Sequence, residues 1–271
     1  MPEAGGPGSK LDFPLITDFG GWVVAWCAVA MVLGGLIKGT LGIGTPLLTV
    51  PMMAMVLPAH MAVTMMIVPV IVANLWQVRE ARDAQKIVTR YWPAFVALFL
   101  GAWIGVKILS GIDERPLLTF VGVAVISFTL LQGSRRKILI PEPLVKSAGF
   151  VFGFCSGMIG GLSSMFGPML VLYLVSLGGL RKNEFVGIIS FLYVAAVLSW
   201  GLMLLLFDLL SKSLLISSTL ALLPLSVGLA LGRSLRNRVE ERLFHRLVWI
   251  ILLVSGGSML WRAWKLGSTL S

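Results

Sequence analysis

The chain has 271 residues, of which 57% are hydrophobic and only 13% are charged, and its mean hydropathy is +0.94. A soluble domain carries about 25% charged residues, so the composition excludes a soluble globular protein and predicts an all-α polytopic membrane protein. The formal net charge of +10 would suit a nucleic-acid partner if the basic residues shared one surface. Their positions decide between that function and a membrane-topology signal.

Apolar stretches divide the chain into ten segments. They run over 21–38, 46–57, 61–78, 91–110, 116–132, 146–160, 168–178, 185–207, 213–232 and 243–262. As helices, the two shortest, 46–57 and 168–178, would rise only about 18 Å, against a hydrocarbon core of about 30 Å. We therefore predict that these two are half-helices that begin near the membrane midplane. The residues before the first segment lack the pattern of a cleavable signal peptide.

The two short segments occupy equivalent places in two halves of the chain. Each begins at a proline, Pro46 or Pro168, that follows a glycine-rich stretch, and each half has a later G-x-x-x-G pair, at 101–105 and 228–232. We predict two inverted-topology repeats of about five segments each. The predicted divisions are an N-terminal tail at 1–20, a first repeat at 21–137, a cytoplasmic linker at 138–145, a second repeat at 146–264 and a C-terminal tail at 265–271.

The basic residues are concentrated between particular segments. Clusters lie at 79–90, 135–146, 181–182 and 233–246, whereas the loops at 107–115 and 208–212 are nearly neutral. Because cytoplasmic loops of membrane proteins carry the excess of Lys and Arg, we place the four clusters inside and the two loops and both termini outside. The first half-helix then ends outside and the second ends inside. The positive charge is a topology signal, and no nucleic-acid partner is expected.

The stretch GGLIKGTLGIGTP at 34–46 has the glycines of a phosphate-binding loop in the wrong order. A Walker loop requires Gly-Lys-Ser/Thr and a dinucleotide fingerprint requires G-x-G-x-x-G, whereas Lys38 precedes Gly39 and the glycines read G-x-x-G-x-G. At the start of a half-helix the same residues provide free backbone N–H groups and about half a positive charge. Thr45 is expected to be the N-cap residue. The sequence thus predicts an anion site near the midplane.

The acidic residues favour the same kind of substrate, because all twelve Asp and Glu lie at or beyond segment ends. A cation transporter or a proton relay normally buries at least one carboxylate. Lys38 either snorkels to the interface or contacts the anion, and the glycines either approach the substrate or only permit close helix crossings. The expected substrate-binding residues are Lys38, Gly39, Thr40, Gly42, Gly44, Thr45, Asn74, Ser163, Ser164 and Gly167, with Thr64, Gln77 and Ser190 as further polar groups facing the same region.

Enzymatic chemistry is not expected. The two cysteines, Cys27 and Cys155, lie in apolar segments and have the character of small hydrophobic residues. The two histidines, His60 and His245, lie at segment ends, so no catalytic cluster is apparent within the membrane. We predict no catalytic residue, no metal site and no cofactor, and the chain has no nucleotide motif that would indicate a primary pump.

The sequence GLIKGTLGIGTPLLTVP, with its counterpart GFCSGMIGGLSSMFGPMLVLYL, resembles the sulfite exporter TauE/SafE family, also called the toluene-sulfonate uptake permease family. The resemblance covers about 20–262 and implies a multi-pass cell-membrane transporter that exports sulfite, sulfonates or related organosulfur oxyanions. Thr45 stands where a glycine is usual in the family, which bears on the choice of anion. A passive anion channel and a transporter of a non-sulfur organic anion remain alternatives. The implied partners are a small anionic substrate and the lipid bilayer, and a homodimer is one possible assembly.

Overall fold

A computed structural model describes residues 16–41, 45–78, 84–133, 139–180, 182–235 and 241–268. Within these ranges the chain forms helices and turns and no strand, so the all-α prediction is confirmed. Five helices in the described ranges are long and apolar enough to cross a membrane, judged by length and composition. The polytopic membrane class that the composition predicts therefore agrees with the helices that form.

Each of the ten predicted segments contains helix. A 3-10 turn at Ile16–Phe19 precedes α1 (Gly21–Leu41), α2 (Thr45–Met53), α3 (Ala59–Thr64), α4 (Ile67–Val78), α5 (Ala84–Leu109), α6 (Glu114–Gly133), α7 (Val145–Ser163), α8 (Gly167–Ser176), α9 (Lys182–Leu206), α10 (Lys212–Leu220), α11 (Leu222–Leu235) and α12 (Glu241–Ser268). The two short segments become α2 and α8, with 9 and 10 residues. Such helices rise only about 14–15 Å, less than half of a bilayer with its headgroups.

The first glycine-rich stretch is more helical than the sequence suggests. α1 continues through Gly39 to Leu41, and residues 42–44 lie outside the described ranges. The Thr40 hydroxyl donates to the carbonyls of Leu36 and Ile37, at 2.9 and 3.0 Å. Glycine is a poor helix former by about 1 kcal/mol, but tertiary packing of this face of α1 outweighs that preference.

Two predicted segments are interrupted, each next to a proline. Pro69 has no N–H, so the Met65 carbonyl four residues earlier lacks its helical donor, and α3 ends just before it. The Ser218 hydroxyl supplies the missing hydrogen bond to Met65 at 2.7 Å. Pro224 likewise leaves the Leu220 carbonyl without its donor, and α10 ends at that residue. The breaks are therefore consequences of proline chemistry within otherwise continuous apolar segments.

The helix pair α5–α7 is packed through glycine. Gly101 and Gly105 of α5 face Gly157 and Gly161 of α7, and a Cβ atom at any of these positions would meet backbone of the opposite helix at 3.0 Å or less. Small residues allow this kind of backbone approach in membrane helices. The predicted G-x-x-x-G pair at 101–105 therefore holds the second half of the chain against the first.

The pair α1–α11 is packed in the same way. Gly228 and Gly232 of α11 lie against the backbone of α1, and Gly35 and Gly39 of α1 lie against the backbone of α11. Here too a Cβ atom would meet main-chain atoms of the opposite helix at 3.0 Å or less. Each half thus lends a G-x-x-x-G helix to the first long helix of the other half.

The two short helices end at opposite ends of the molecule. After α2, the His60 ring lies 3.3 Å from the Glu114 carboxylate, where α5 ends and α6 begins. After α8, the Ser176 carbonyl accepts a hydrogen bond of 2.7 Å from Ile140, in the connection that also carries Glu142, the partner of Arg90 near the start of α5. The 26 residues of α5 separate these ends by about 39 Å.

The outward faces of the helices remain apolar. Leu206 is 66% exposed, Leu223 70% and Val254 60%. Exposed apolar surface of this extent is rare on a soluble monomer, whereas lipid chains would cover it in a bilayer. The exposed side chains are therefore consistent with helices that face lipid.

The glycine contacts lead to a stability prediction. Gly157→Ala adds a Cβ that meets the backbone of α5, and we expect overpacking to lower the free energy of unfolding by about 1–3 kcal/mol. Gly257→Ala is the matched control, because a Cβ at Gly257 in α12 meets nothing within 4 Å. The control should be unchanged or up to about 1 kcal/mol more stable. Thermal unfolding in detergent distinguishes them, and equal destabilisation of both variants would contradict the packing.

Candidate anion-binding site

The ammonium of Lys38 lies inside the protein. Lys38 is in the last turn of α1, is 8% exposed, and donates from Nζ to Oδ1 of Asn74 in α4 at 2.9 Å. Nδ2 of Asn74 donates to the Val70 carbonyl at 2.7 Å, which fixes the amide with its oxygen towards the lysine. Among the Lys, Arg, Asp and Glu side chains that the structure describes, Lys38 alone is buried. The Lys38 ammonium is thus enclosed by protein, and its contact with a ligand stays a prediction.

Tyr193 of α9 forms the opposite wall. Its ring centroid lies 5.7 Å from Nζ of Lys38, a distance suited to a cation–π interaction. Its hydroxyl oxygen lies beside Gly167, in the space that a Cβ atom at that residue would need. Lys38, Asn74, Tyr193 and the first residue of α8 therefore come together from four different helices.

The start of α8 is held from behind by aromatic packing. Phe166, the residue before the helix, is fully buried, and its ring lies 6.1 Å from that of Trp200 between centroids. The Ser156 hydroxyl donates to the Phe166 carbonyl at 2.6 Å, and Nε1 of Trp200 donates to the Gly161 carbonyl at 3.2 Å. No side chain caps the helix start. Its position is thus rigid while its first N–H groups remain available to a ligand.

Thr45 begins α2 and is not the N-cap residue that the sequence suggests. Its hydroxyl does not accept a hydrogen bond from the first N–H groups of the helix. That hydroxyl is buried and has no hydrogen-bond partner within the described ranges. The Thr45 methyl lies beside Gly34, one turn before Lys38 on α1. The start of α2 therefore packs against α1, the helix that carries the Lys38 ammonium.

The remaining predicted contacts in the first half have other structural surroundings. Gly39 packs against the backbone of α11, and the Thr40 hydroxyl is bonded to carbonyls of its own helix. Gly42 and Gly44 lie outside the described ranges. Gly39 thus has a packing role here, and the involvement of all four residues in ligand binding stays a prediction.

The predicted serines of the second half bond to nearby backbone. Ser163 donates to the Ile159 carbonyl at 2.6 Å, and Ser164 donates to the Ser163 carbonyl at 2.6 Å. Ser164 also has a left-handed φ of 60° at the end of α7, which turns the chain towards α8. These hydroxyls shape the turn before the site.

The three further polar groups lie apart from these serines. Thr64 donates to the His60 carbonyl, and Ser190 is buried one turn before Tyr193. The side chain of Gln77 is not among those that the structure describes.

Tyr193 is the site residue that the sequence pattern does not identify. The chain has three tyrosines, and a phenol in the middle of an apolar segment needs a polar partner when buried. This need for a polar partner is the signal in the sequence that could have identified Tyr193. It does not show which residue the partner is. The contact of Tyr193 with Gly167 depends on how α9 packs against α8, which sequence spacing does not define.

A separate cleft of about 660 Å³ lies at the end of α8. Its lining is apolar and comprises Leu139, Leu174, Val175, Gly178, Gly179, Leu180 and Phe185. An anion needs positive charge or N–H and O–H donors, so the buried cluster around Lys38 suits it better than this cleft.

Neither cysteine is part of the site. Cys27 is buried and Cys155 is half-buried, and both are free thiols. Within the described ranges, no three His, Cys, Asp or Glu side chains come together in a way that could hold a metal ion. The charge available for an anion therefore comes from Lys38 and from helix starts.

Comparison with known proteins gives one match. The sequence profile described as Sulfite exporter TauE/SafE matches residues 27–259, a range that includes Lys38, Asn74, Gly167 and Tyr193. No curated protein and no solved structure matches the chain.

The Lys38–Asn74 hydrogen bond leads to a stability prediction. Asn74→Leu leaves the buried ammonium without its acceptor, and we expect a loss of about 1.5–3 kcal/mol in the free energy of unfolding. Replacing both partners with apolar groups can be nearly neutral, so Lys38→Met combined with Asn74→Leu should recover most of the loss. The measurement is a double-mutant cycle, in which unfolding in detergent is followed for the wild type, both single variants and the double variant. A double variant whose loss equals the sum of the two single losses would show that the two residues are not coupled.

Proposed function

The chain belongs to the sulfite exporter TauE/SafE family, whose profile matches nearly its full length, and we propose that it exports sulfite or a related sulfur oxyanion or sulfonate across the cell membrane. The family is one of membrane transporters and not of enzymes. The five apolar helices of spanning length agree with that class. The observation that supports an anionic substrate is the buried ammonium of Lys38 beside an uncapped helix start.

The anion is held between Lys38 and the start of α8. An ammonium has three N–H donors, one of which is bonded to Asn74, and the others can be donated to a substrate oxygen. A buried charge without a partner is disfavoured by several kcal/mol, so an anion that binds next to Lys38 relieves that penalty. The Tyr193 hydroxyl and the first N–H groups of α8 are further donors.

The two halves of the chain are inverted repeats, with the half-helices α2 and α8 beginning inside the membrane. Two observations support this arrangement. α2 and α8 end at opposite ends of the molecule, and the helix pairs α1–α11 and α5–α7 are packed through glycine in the same way. The end of the molecule that carries Arg90 and Glu142 faces the cytoplasm. This orientation agrees with the basic clusters at 79–90 and 135–146, which contain these two residues. Such an architecture places the substrate at the interface between the two halves.

Transport is driven by the membrane potential and needs no coupling ion. An inside-negative potential moves an anion outwards with about 2.3 kcal/mol per charge per 100 mV. The carboxylates of the described ranges lie at helix ends or in loops, as Asp113, Glu142, Glu184 and Asp208 illustrate. A proton or sodium relay through the membrane would have few groups to use.

Two charge substitutions at the helix starts test the site. Gly167→Asp and Thr45→Asp place a carboxylate where the anion binds, and charges about 4 Å apart repel by about 4 kcal/mol at an effective dielectric constant of about 20. We expect sulfite affinity to fall at least about a hundredfold. Gly167→Asn and Thr45→Asn are the matched controls, because Asn has the shape of Asp without its charge. Isothermal titration with sulfite measures the difference, and equal affinity in the Thr45 Asp–Asn pair would place the substrate elsewhere. Both Gly167 variants also displace the Tyr193 hydroxyl, so in that pair only the difference between Asp and Asn reports on charge.

Flux in proteoliposomes tests the function and its driving force. With a potassium diffusion potential as the only gradient, sulfite should move towards the positive side, and the flux should increase with the potential. Sulfite flux that is independent of the membrane potential and depends on a pH or sodium gradient would contradict uncoupled export. Counterflow separates a carrier from a channel, since only a carrier shows saturable exchange of labelled for unlabelled sulfite.

A further inference from the structure

The candidate site contains one full positive charge and no compensating carboxylate. Lys38 alone is buried among the ionic side chains that the structure describes, and its hydrogen-bond partner is the neutral amide of Asn74. The ion pairs His60–Glu114, Arg262–Glu114 and Arg90–Glu142 lie near the two ends of the molecule. The charge of the site is therefore set by Lys38 together with helix starts.

From this charge we infer that the protein selects singly charged anions, namely hydrogensulfite and sulfonates, and rejects the dianions sulfite and sulfate. The inference rests on the proposed function, since it specifies which anions the Lys38 site accepts. It goes further in separating two protonation states of the same sulfur compound.

Desolvation is the physical reason. The free energy lost when an ion leaves water rises with the square of its charge, so a dianion loses about four times as much as a monoanion of the same size. The attraction to Lys38 is proportional to the anion charge and only about doubles. A single buried cation can thus compensate a monoanion while leaving a dianion with a large net penalty.

The other groups of the site add donors and little charge. The Asn74 amide and the Tyr193 phenol are neutral, and the start of α8 contributes about half a positive charge at most. A dianion would be preferred only if the attraction per unit charge exceeded about three times the desolvation penalty of a monoanion. One ammonium and partial helix charges fit a monoanion more closely than a dianion.

Three sulfur oxyanions that differ in charge allow the effect of charge on binding to be measured separately from the effect of the sulfur group. Hydrogensulfite loses its proton near neutral pH and becomes the sulfite dianion, methanesulfonate is a monoanion throughout that range, and sulfate is a dianion throughout. Titratable protein groups on the helices at the site affect hydrogensulfite and methanesulfonate alike, because both are monoanions. Those groups, in addition to Lys38, include Tyr173, Glu184, Tyr193 and Arg233. Methanesulfonate therefore serves as the internal reference for any titration of the protein.

The experiment is equilibrium binding of labelled sulfite to the purified full-length protein in nanodiscs, over a pH series that crosses the hydrogensulfite pKa. Methanesulfonate and sulfate are used as competitors at each pH. Relative to methanesulfonate, the affinity for total sulfite should fall about tenfold per pH unit above that pKa, because only the protonated form binds. Sulfate should compete at least about tenfold more weakly than methanesulfonate.

The outcomes distinguish the charge rule from the proposed function. Sulfate that competes as well as methanesulfonate, or a sulfite-to-methanesulfonate ratio that is independent of pH, overturns the charge rule and leaves sulfur-anion transport intact. Absence of binding by all three anions overturns both. Lys38→Arg keeps the charge and should keep the preference for methanesulfonate over sulfate, whereas Lys38→Met should lose binding of both. The wild-type measurements decide the question even if a variant fails to fold.

Discussion

The buried ammonium of Lys38 is the charge on which the proposed anion site depends. Lysine is rarely buried without a carboxylate partner, and here its partners are the Asn74 amide and the Tyr193 ring. A site with unbalanced positive charge is stabilised by an incoming anion. The carboxylates of Glu114 and Glu142 lie at helix starts, where they pair with His60 and Arg90 and not with Lys38.

Glycine packing places the groups that form this site. α1 carries Lys38, and its close contact with α11 through Gly35 and Gly39 fixes its position in the molecule. α7 leads into α8, and the contact of α7 with α5 through Gly157 and Gly161 fixes the position of the start of α8. Both contacts join the two halves of the chain. Movement of one half relative to the other would therefore change the distance between Lys38 and α8, which is the kind of rearrangement that alternating access requires.

Much of the fold could be predicted because apolar length and proline chemistry are local properties. The apolar segments, the shortness of α2 and α8, and the all-α class follow from composition and from the span of a bilayer. Lys38 and Asn74 could be selected as candidates because polar groups are scarce in such segments. The hydrogen bond from Ser218 to the Met65 carbonyl and the helical state of Gly39 were less accessible, because Ser218 lies on a distant helix and Gly39 packs against the backbone of α11.

The sequence by itself thus determined the membrane class, the family and the types of group available to bind an anion, since these depend on which residues are present and on their order. The tertiary structure decided that Tyr193 joins Lys38 at Gly167, that Gly39 packs against a helix, and that the Thr45 hydroxyl is left without a partner within the described ranges. Contacts between residues over a hundred positions apart depend on the rotation and depth of each helix against its neighbours. Those quantities are set by side-chain packing across the whole molecule, and a periodic pattern within one segment does not contain them.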